Sequence, residues 1–406
     1  MANPAITCVL GMHRSGTSLA TRIVNLLGVD LGPEDHLLRP TPDNPKGFWE
    51  HRRIVKLNDE VLERLGGSFA RPPAFWPGWE TAPQLEHLRN RAQGIIQEEF
   101  AGKASWGWKD PRTCLTLPFW QRLLPPMRYV ICLRNPLDVM RSMWHRDGLT
   151  AERGIYLWVT YTRLALQHTR GQPRILVAYE RLVDDWRGEL RRLARFLGTV
   201  EQAEREDLRA TVRDFVDPSL RHHRTPRPAA PENGGSEVSI RARERVHAVY
   251  AALEREPLPA EVEDVDRLFQ PVMDVVVPEI ERQEQEEYRR WREQIQQVID
   301  DISRVIPAGE AFLLADEGEW DTSEFVAGRR RIPFPERDGQ AWGPPPDDET
   351  ALRELERMRQ AGAAFFVLGS PAFWWRDHYV ELHGHLRSAF RCALENERLM
   401  IFDLRT

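Results

Sequence analysis

Residues 6–18 read ITCVLGMHRSGTS: a short apolar run, then a turn with two glycines, then the start of a helical pattern. The apolar run predicts a buried strand over residues 6–11, and the pattern after the turn predicts a helix from about Gly16 to Leu27. Gly28 follows as a typical helix-ending residue. Backbone N–H groups and the helix dipole favour a negative charge at the start of such a helix. We therefore expect this turn to bind a phosphate-like anion.

The glycines of the turn, Gly11 and Gly16, are spaced as in the phosphate-binding loop GxxxxGK(S/T) of nucleotide triphosphatases. In that loop a lysine follows the second glycine, and the next hydroxyl binds Mg²⁺. Here Thr17 stands in place of the lysine, and the cation, Arg14, precedes the second glycine. No acidic residue at the end of a predicted strand stands out as a magnesium ligand. The sequence therefore predicts an anion site without a metal, and an ordinary glycine turn with a surface arginine is the alternative.

Two further apolar runs, at residues 128–133 and 174–179, each precede a helical pattern. Strands that alternate with helices predict an α/β fold, here a P-loop-like parallel sheet flanked by helices. Apolar residues spaced 3-4-3-4-3 from Tyr288 to Val305 predict a helix, and residues 225–236 predict a loop or lid. After Pro307 the pattern predicts a second, small α/β unit.

The predicted domains are an N-terminal domain over residues 1–275, a helical linker over 276–306 and a small α/β accessory domain over 307–406. A net charge of −6 gives no sign of a nucleic-acid partner. The sequence has no signal-peptide pattern and no apolar run long enough for a transmembrane segment. Its four cysteines include no CxxC pair, which favours reduced thiols. We expect a cytoplasmic protein.

The segment Arg-Ser-Gly-Thr-Ser resembles the 5′-phosphosulfate loop of the sulfotransferase family, in which a lysine or arginine precedes Ser-Gly-Thr. The resemblance implies that the cofactor is PAPS (3′-phosphoadenosine-5′-phosphosulfate) and that no metal is required. It also implies the ligands of the 5′-phosphosulfate end: Arg14, Ser15, Gly16, Thr17 and Ser18. The arginine in this loop is more similar to the tyrosylprotein and carbohydrate branches of the family than to the cytosolic phenol branch.

Two more segments carry the same resemblance. Arg134 follows the strand 128–133 and Ser142 stands eight residues later, which resembles the pair that holds the 3′-phosphate in the family. A guanidinium can grip two phosphate oxygens at once, and a hydroxyl adds a donor. The segment WGWKDPR, residues 106–112, resembles a Lys-Asp-Pro segment whose lysine lies by the sulfuryl group, which implies a catalytic role for Lys109 beside that of Arg14.

A hydroxyl acceptor also needs a general base. The resemblance places a carboxylate shortly after the first helix, which implies Glu50, and His51 is the second candidate. His13 and His36 are the remaining ones. Tryptophans near this segment, at positions 49, 76 and 79, fit either acceptor stacking or core packing.

The resemblance covers residues 6 to about 220 and leaves the last 100 or so residues outside it. It implies a sulfotransferase that transfers a sulfuryl group from PAPS to a hydroxyl or amine, on a carbohydrate or small molecule. A P-loop-type nucleotide or small-molecule kinase and a non-catalytic nucleotide-binding scaffold are the alternatives. The acceptor, the oligomeric state and the role of the C-terminal domain stay open.

Overall fold

The computed structural model describes residues 4–42, 44–216, 237–255, 262–320, 328–337 and 339–405. The chain divides into two compact units, Met1–Arg282 and Gln283–Thr406. Each unit has its own sheet and its own apolar core. The lid predicted at residues 225–236 lies outside the described residues.

The sheet of the first unit has four parallel strands in the order β2-β1-β3-β4. Since all four run in one direction, their carboxyl ends meet at one edge of the sheet. Their bounds are β1 (Ala5–Leu10), β2 (Ser105–Lys109), β3 (Arg128–Leu133) and β4 (Arg174–Ala178).

Helices cover both faces of this sheet. Successive residues of a strand point to opposite faces, so Cys8 and Leu10 join one apolar core while Val9 joins the other. The helices that begin in this unit are α1 (Thr17–Leu26), α2 (Arg52–Arg64), α3 (Glu86–Phe100), α4 (Thr113–Leu123), α5 (Pro136–Asp147), α6 (Ala151–His168), α7 (Tyr179–Asp184), α8 (Trp186–Leu197), α9 (Val200–Glu204), α10 (Glu206–Phe215), α11 (Glu237–Leu253) and α12 (Val262–Val305). The structure confirms the predicted α/β class with a parallel sheet between helices.

The sequence did not predict β2, because a glycine and a lysine interrupt its apolar pattern. Gly107 is required there by the neighbouring strand: a Cβ atom at this position would lie 2.0 Å from the carbonyl oxygen of Thr7 in β1. The helix predicted after β4 is instead two helices, α7 and α8. Asp185 separates them with a non-helical backbone, and its side chain accepts a hydrogen bond from Gly188 N.

Helix α12 is longer than the predicted linker helix and contains Pro271 and Pro278. The division between the two units falls within it, after Arg282. The predicted apolar stripe is buried at Ile295 and Ile302, whereas Tyr288 is exposed. The domain boundaries at residues 275 and 306 stay a prediction.

The second unit contains the predicted C-terminal sheet, in the order β10-β11-β9-β5-β6. Strands β6, β5 and β9 are parallel, and β11 pairs antiparallel with both β9 and β10. The strands are β5 (Ala311–Ala315), β6 (Arg330–Pro333), β7 (Glu336–Arg337), β8 (Gln340–Ala341), β9 (Phe365–Gly369), β10 (Arg391–Glu395) and β11 (Leu399–Asp403). The helices are α13 (Asp348–Gln360), α14 (Trp375–His378) and α15 (Val380–Ala389).

Strands β6 and β10 were missed because they are partly exposed and carry no apolar run. Two short helices, α14 and α15, follow β9 in this unit. Of the two adjacent tryptophans at the start of α14, Trp375 is a buried core residue and Trp374 is exposed. Across the described ranges, none of the helices combines the length and the apolar composition needed to cross a bilayer.

We predict that Gly107→Ala destabilises the first unit by about 2–4 kcal/mol, because the new methyl group overlaps the backbone of β1. The control is Gly94→Ala in α3, where a Cβ atom would lie 3.9 Å from its nearest neighbour, the side chain of Glu98. Alanine is the better helix former, so this control should be as stable as the parent or more so. Denaturant unfolding measures both; equal stability of the two variants would contradict the close strand contact.

Candidate active site

A cleft of about 390 Å³ opens at the carboxyl ends of the parallel strands. The turn after β1 and the segment before α2 form two of its walls. The residues that follow β2 and β3, and the first residues of α7, complete it. In open α/β sheets this edge is the usual place for a ligand.

The turn after β1 is shaped by its glycines. Gly11 has a φ of 144°, and a Cβ atom on it would lie 2.7 Å from the carbonyl oxygen of Cys132. Gly16 has a φ of 78°, and a Cβ atom there would lie 2.3 Å from the ring of Tyr179. Arg14, between them, has a φ of 66°, a strained conformation for a side-chain-bearing residue. These backbone angles and close contacts hold the turn in one conformation at the start of α1.

Arg14, Ser142 and Arg134 lie in one hydrogen-bonded group. Arg14 Nε donates to Ser142 Oγ at 2.8 Å, and an Nη of Arg134 donates to the carbonyl oxygen of Arg14 at 2.9 Å. The Arg134 guanidinium also lies 4.5 Å from the centre of the Tyr179 ring. Its Nε is buried and has no hydrogen-bond partner in the described structure. A buried donor of this kind is satisfied when an anion binds.

Glu50 and Lys109 form a buried ion pair beside the turn. Lys109 ends β2, and its Nζ lies 2.5 Å from Glu50 Oε1 and 3.4 Å from Ser18 Oγ. Lys109 is 1% exposed and Glu50 is 6% exposed. Burial raises the pKa of the Glu50 carboxyl, and the ammonium of Lys109 opposes that rise. The carboxylate is therefore a stronger base than an exposed glutamate.

Asp110 follows Lys109 at the end of β2, next to β1. Strand β1 leads into the turn at residues 11–18, which we call the anion turn because of the ligand predicted for it. It is fully buried, and both carboxylate oxygens accept hydrogen bonds from protein donors. Oδ1 accepts from the Arg112 guanidinium at 3.0 Å, and Oδ2 accepts from Asn58 Nδ2 at 2.8 Å. The sequence analysis found no acidic strand end because it did not predict β2. The contacts assign Asp110 to orienting Arg112, which lines the cleft.

His13 forms part of the cleft wall, with its ring packed against Phe69 and Tyr161 at centroid distances of 5.2 and 5.8 Å. Burial lowers its pKa well below the usual value, and the nearby Arg112 and Arg146 lower it further. Its Nε2 is buried without a hydrogen-bond partner in the described residues. His13 is therefore a neutral imidazole at the cleft.

The candidate bases fall into two groups. Glu50 and His13 line the cleft, whereas His51 and His36 do not. His51 is buried beside Glu99, at 3.5 Å from His51 Nε2 to Glu99 Oε2, and His36 Nδ1 lies 2.8 Å from the same oxygen. The structure thus brings two of the four candidate bases to the anion turn.

The tryptophans proposed for acceptor stacking lie away from the cleft lining. Trp49 donates from Nε1 to the Lys46 carbonyl oxygen and lies under the Arg22 guanidinium, and Trp79 is a buried core residue. The aromatic side chains that line the cleft are instead Phe48, Phe69, Tyr179 and Phe215, none of which was predicted there from the sequence.

Three cations in the cleft wall were also missed. They are Lys46, Arg112 and Arg146. Two had a signal in the sequence: Arg112 directly follows the Lys-Asp-Pro segment, and Arg146 stands four residues after Ser142, on the same face of α5. Lys46 had none, because its position depends on contacts with the carbonyl oxygens of residues 214 and 215 at the end of α10.

The fold and the site are those of an α/β protein with a phosphate-loop-like turn at the end of β1, in which the cation is Arg14 and Thr17 stands at the usual lysine position. The profile described as the sulfotransferase family matches residues 7–202. This segment contains β1 to β4 and every residue singled out for the anion site. The matched part of the chain, residues 7–202, is similar to the sulfotransferase family.

A curated relative, a protein described as a putative protein-tyrosine sulfotransferase from Caenorhabditis briggsae, is 28% identical over 171 residues. The match covers 36% of this chain and 59% of the relative, so it spans about three fifths of that protein.

Two solved structures are also similar. A sulfotransferase domain from the curacin biosynthetic pathway is 17% identical, with a TM-score of 0.34, and the match covers 64% of this chain and all of that domain. A sulfotransferase from Mycobacterium avium is 14% identical, with a TM-score of 0.33, and the match covers 68% of this chain and 77% of that one.

We predict that Lys109→Met destabilises the protein by about 3–5 kcal/mol at neutral pH, because it leaves the Glu50 carboxylate buried without its partner. In the variant the pKa of Glu50 rises further above its value in the unfolded chain. The variant should therefore lose stability as the pH rises from the pKa of Glu50 in the unfolded chain to its pKa in the folded variant. It should regain stability as the pH falls and Glu50 takes up a proton. Denaturant unfolding at about pH 7.5 and about pH 5.5 measures the difference.

The double variant Lys109→Met with Glu50→Gln is the control for this test. It removes the charge that the single variant leaves unpaired, so its deficit at neutral pH should be smaller and should change little with pH. A single variant whose deficit is the same at both pH values would show that the Lys109–Glu50 contact is not a buried charge pair.

Proposed function

We propose that this protein is a PAPS-dependent sulfotransferase, which transfers a sulfuryl group from PAPS to a hydroxyl or amine on a carbohydrate or small-molecule acceptor. The observation that carries the proposal is the position of the Lys109 ammonium, in contact with the Glu50 carboxylate and 3.4 Å from Ser18 Oγ of the anion turn. A cation, a base and an anion-binding turn at one point are what an in-line transfer of a charged group needs.

The residues of the cleft fit PAPS, a polyanion. The start of α1 offers backbone N–H groups, and the charged side chains in the lining are arginines and lysines with the exception of Glu50. The 5′-phosphosulfate end would be held by Arg14, Ser15, Gly16, Thr17 and Ser18. The 3′-phosphate would be held by Arg134, whose buried Nε lacks a partner in the described structure, and by Ser142. Arg14 joins the two sets through its hydrogen bond to Ser142.

PAPS supplies the sulfuryl group, and the protein supplies position and charge. Glu50 accepts the proton of the acceptor hydroxyl while the new oxygen–sulfur bond forms and the bond from sulfur to the 5′-phosphate oxygen breaks. Lys109 and Arg14 offset the negative charge that develops on the leaving phosphate and on the transferring group. The raised pKa of Glu50 suits it to this task.

His13 is the second candidate for the base, in place of His51, because its Nε2 is neutral, buried and at the cleft. Glu50 is preferred because it contacts Lys109 directly. The acceptor site is the wall formed by Phe48 and Phe69, which suits a flat ring, either a sugar or an aromatic group. The name of the curated relative adds a phenol to the acceptors worth testing.

One observation favours the kinase alternative: Asp110 follows β2, where such an enzyme has an acidic magnesium ligand. Two observations oppose it. Both carboxylate oxygens of Asp110 already accept hydrogen bonds from Arg112 and Asn58, and Thr17 stands where a P-loop kinase has lysine. A nucleotide site that needs no metal is therefore the better interpretation. The scaffold alternative makes a different prediction, which is nucleotide binding without transfer to any acceptor.

We predict that adenosine 3′,5′-bisphosphate binds in the presence of EDTA and more tightly than AMP. Arg134→Ala should weaken the bisphosphate by roughly 10–100-fold and AMP much less, because hydrogen bonds to charged groups contribute about 1.5–3 kcal/mol each. Arg122→Ala, at an exposed position on α4, is the control. Calorimetry measures all three proteins, and equal affinity of the parent for the two nucleotides would contradict the 3′-phosphate assignment.

We predict that Glu50→Gln lowers kcat by roughly 10²-fold or more with cofactor affinity nearly unchanged, because the amide has no proton affinity. The assay is transfer from ³⁵S-labelled PAPS to a panel of sugars, phenols and amines. Glu63→Gln, an exposed position on α2, is the control, and His13→Asn tests the second candidate. A folded Glu50→Gln with near-normal kcat would move the base to another residue; no labelled product with any acceptor would oppose the sulfotransferase proposal.

A further inference from the structure

Outside the cleft, three side chains with metal-binding groups converge from three segments. His36 ends a single 3-10 turn, His51 precedes α2, and Glu99 lies near the end of α3. One nitrogen of each imidazole and one carboxylate oxygen all lie within 4.8 Å of one another. Within the described ranges, this is the only such group of three.

His51 is the unusual member of the cluster. It is 1% exposed, and neither Nδ1 nor Nε2 has a hydrogen-bond partner in the described structure. The nearest acidic group is the Glu99 carboxylate, with Oε2 at 3.5 Å from His51 Nε2. A buried imidazole without a well-formed hydrogen bond carries a large desolvation cost, and native proteins almost always satisfy such groups. A ligand on one of its nitrogens would remove that cost.

Space for that ligand exists beside the ring. Gly32, with a φ of 88°, faces His51, and a Cβ atom there would lie 3.4 Å from His51 Nε2 and 3.1 Å from Cδ2. The Phe100 ring packs on the imidazole with centroids 5.9 Å apart, which fixes its orientation. The absence of a side chain at Gly32 therefore leaves room next to Nε2.

The distances match those between ligands of one small cation. Glu99 Oε2 lies 2.8 Å from His36 Nδ1 and 3.5 Å from His51 Nε2. Zinc bonds of about 2.0–2.1 Å in a tetrahedral arrangement place neighbouring ligand atoms roughly 3.3 Å apart, between these two values. The nitrogens of His36 and His51 lie within 4.8 Å of each other, and His36, which is only partly buried, can move to complete the arrangement.

The charges around the cluster also suit a cation. Arg53 donates to Glu99 Oε1 at 2.7 Å, so it orients the carboxylate while Oε2 faces the histidines. The Asp35 carboxylate lies 3.9 Å from His36 Nε2, the ring nitrogen that faces away from Glu99. At this distance the Asp35 carboxylate makes no hydrogen bond to the ring, but its negative charge favours a cation nearby.

We propose that His36, His51 and Glu99 bind one zinc-class divalent cation, with a water molecule as the fourth ligand on the side where His36 is exposed. Two imidazoles and a carboxylate suit zinc and its neighbours better than Mg²⁺ or Ca²⁺. The site joins the segment from residue 34 to residue 51 to helix α3. In that segment Leu38 N donates to the carbonyl oxygen of Glu50 at 2.8 Å. Because Glu50 precedes His51, a cation bound to His51 would also help to fix the position of Glu50.

The test is metal binding to the full chain, prepared without a polyhistidine tag and freed of metal with a chelator. Zn²⁺ is titrated in competition with a chromophoric indicator, and Co²⁺ is followed by its visible absorption. We expect one equivalent bound per chain, and a thermal midpoint that rises with Zn²⁺. This result does not depend on the sulfuryl-transfer proposal, which is tested by the assays above.

His36→Ala is the decisive variant because His36 is partly exposed and its loss should leave the fold intact. We expect its affinity for Zn²⁺ to fall by at least about 100-fold, since even supporting contacts of a metal site are worth 10–100-fold. Glu99→Gln should weaken binding as well, and His87→Ala, an exposed histidine on α3, should bind as the parent does. Circular dichroism confirms the folding of each variant.

Two results would overturn the proposal. One is that the parent protein and His36→Ala bind Zn²⁺ with the same affinity. The other is a Co²⁺ spectrum that is the same in the parent and in His36→Ala, which would place the cation elsewhere. In either case His36 and Glu99 form a hydrogen-bonded pair only.

Discussion

The close approach of backbone to backbone around β1 is the constraint on which the rest of the first unit depends. A side chain at Gly107 would overlap β1, and side chains at Gly11 and Gly16 would overlap β3 and the Tyr179 ring. Glycine at position 107 lets β2 lie close to β1. Glycines at positions 11 and 16 let the turn lie close to β3 and to the Tyr179 ring at the start of α7. These contacts shape the turn, and the helix start that follows it is a position that favours a negative charge.

Buried charged side chains at the same edge of the sheet are paired with one another or with hydrogen-bond donors. Lys109 is paired with Glu50, and Asp110 is held by Arg112 and Asn58. Removing such groups from water is costly, so each must find a partner of opposite charge or a hydrogen-bond donor. That requirement places the Glu50 carboxylate and the Lys109 ammonium in direct contact beside Ser18, where the turn after β1 meets α1.

The segment before α2 connects this edge to a second polar cluster. Glu50 faces the cleft, whereas His51, its neighbour, faces the opposite way and is buried beside Glu99. One residue therefore belongs to the candidate active site and the next to the candidate metal site. Two adjacent residues of an extended segment point in opposite directions, so a single stretch of chain serves both.

Sequence alone determined the strand, turn and helix at residues 6–27 and the α/β class, because local patterns of apolar and glycine residues depend on near neighbours. The roles proposed for Arg14 and Glu50 came from the resemblance of their segments to a known family. Only the tertiary structure decided that residues 105–109 form a strand, since the glycine there is explained by β1 and not by its own neighbours. The contacts of Lys109 with Glu50 and of His51 with Glu99 join residues far apart in the chain. They exist because the strand order β2-β1-β3-β4 and the packing of α2 on α3 bring those segments together.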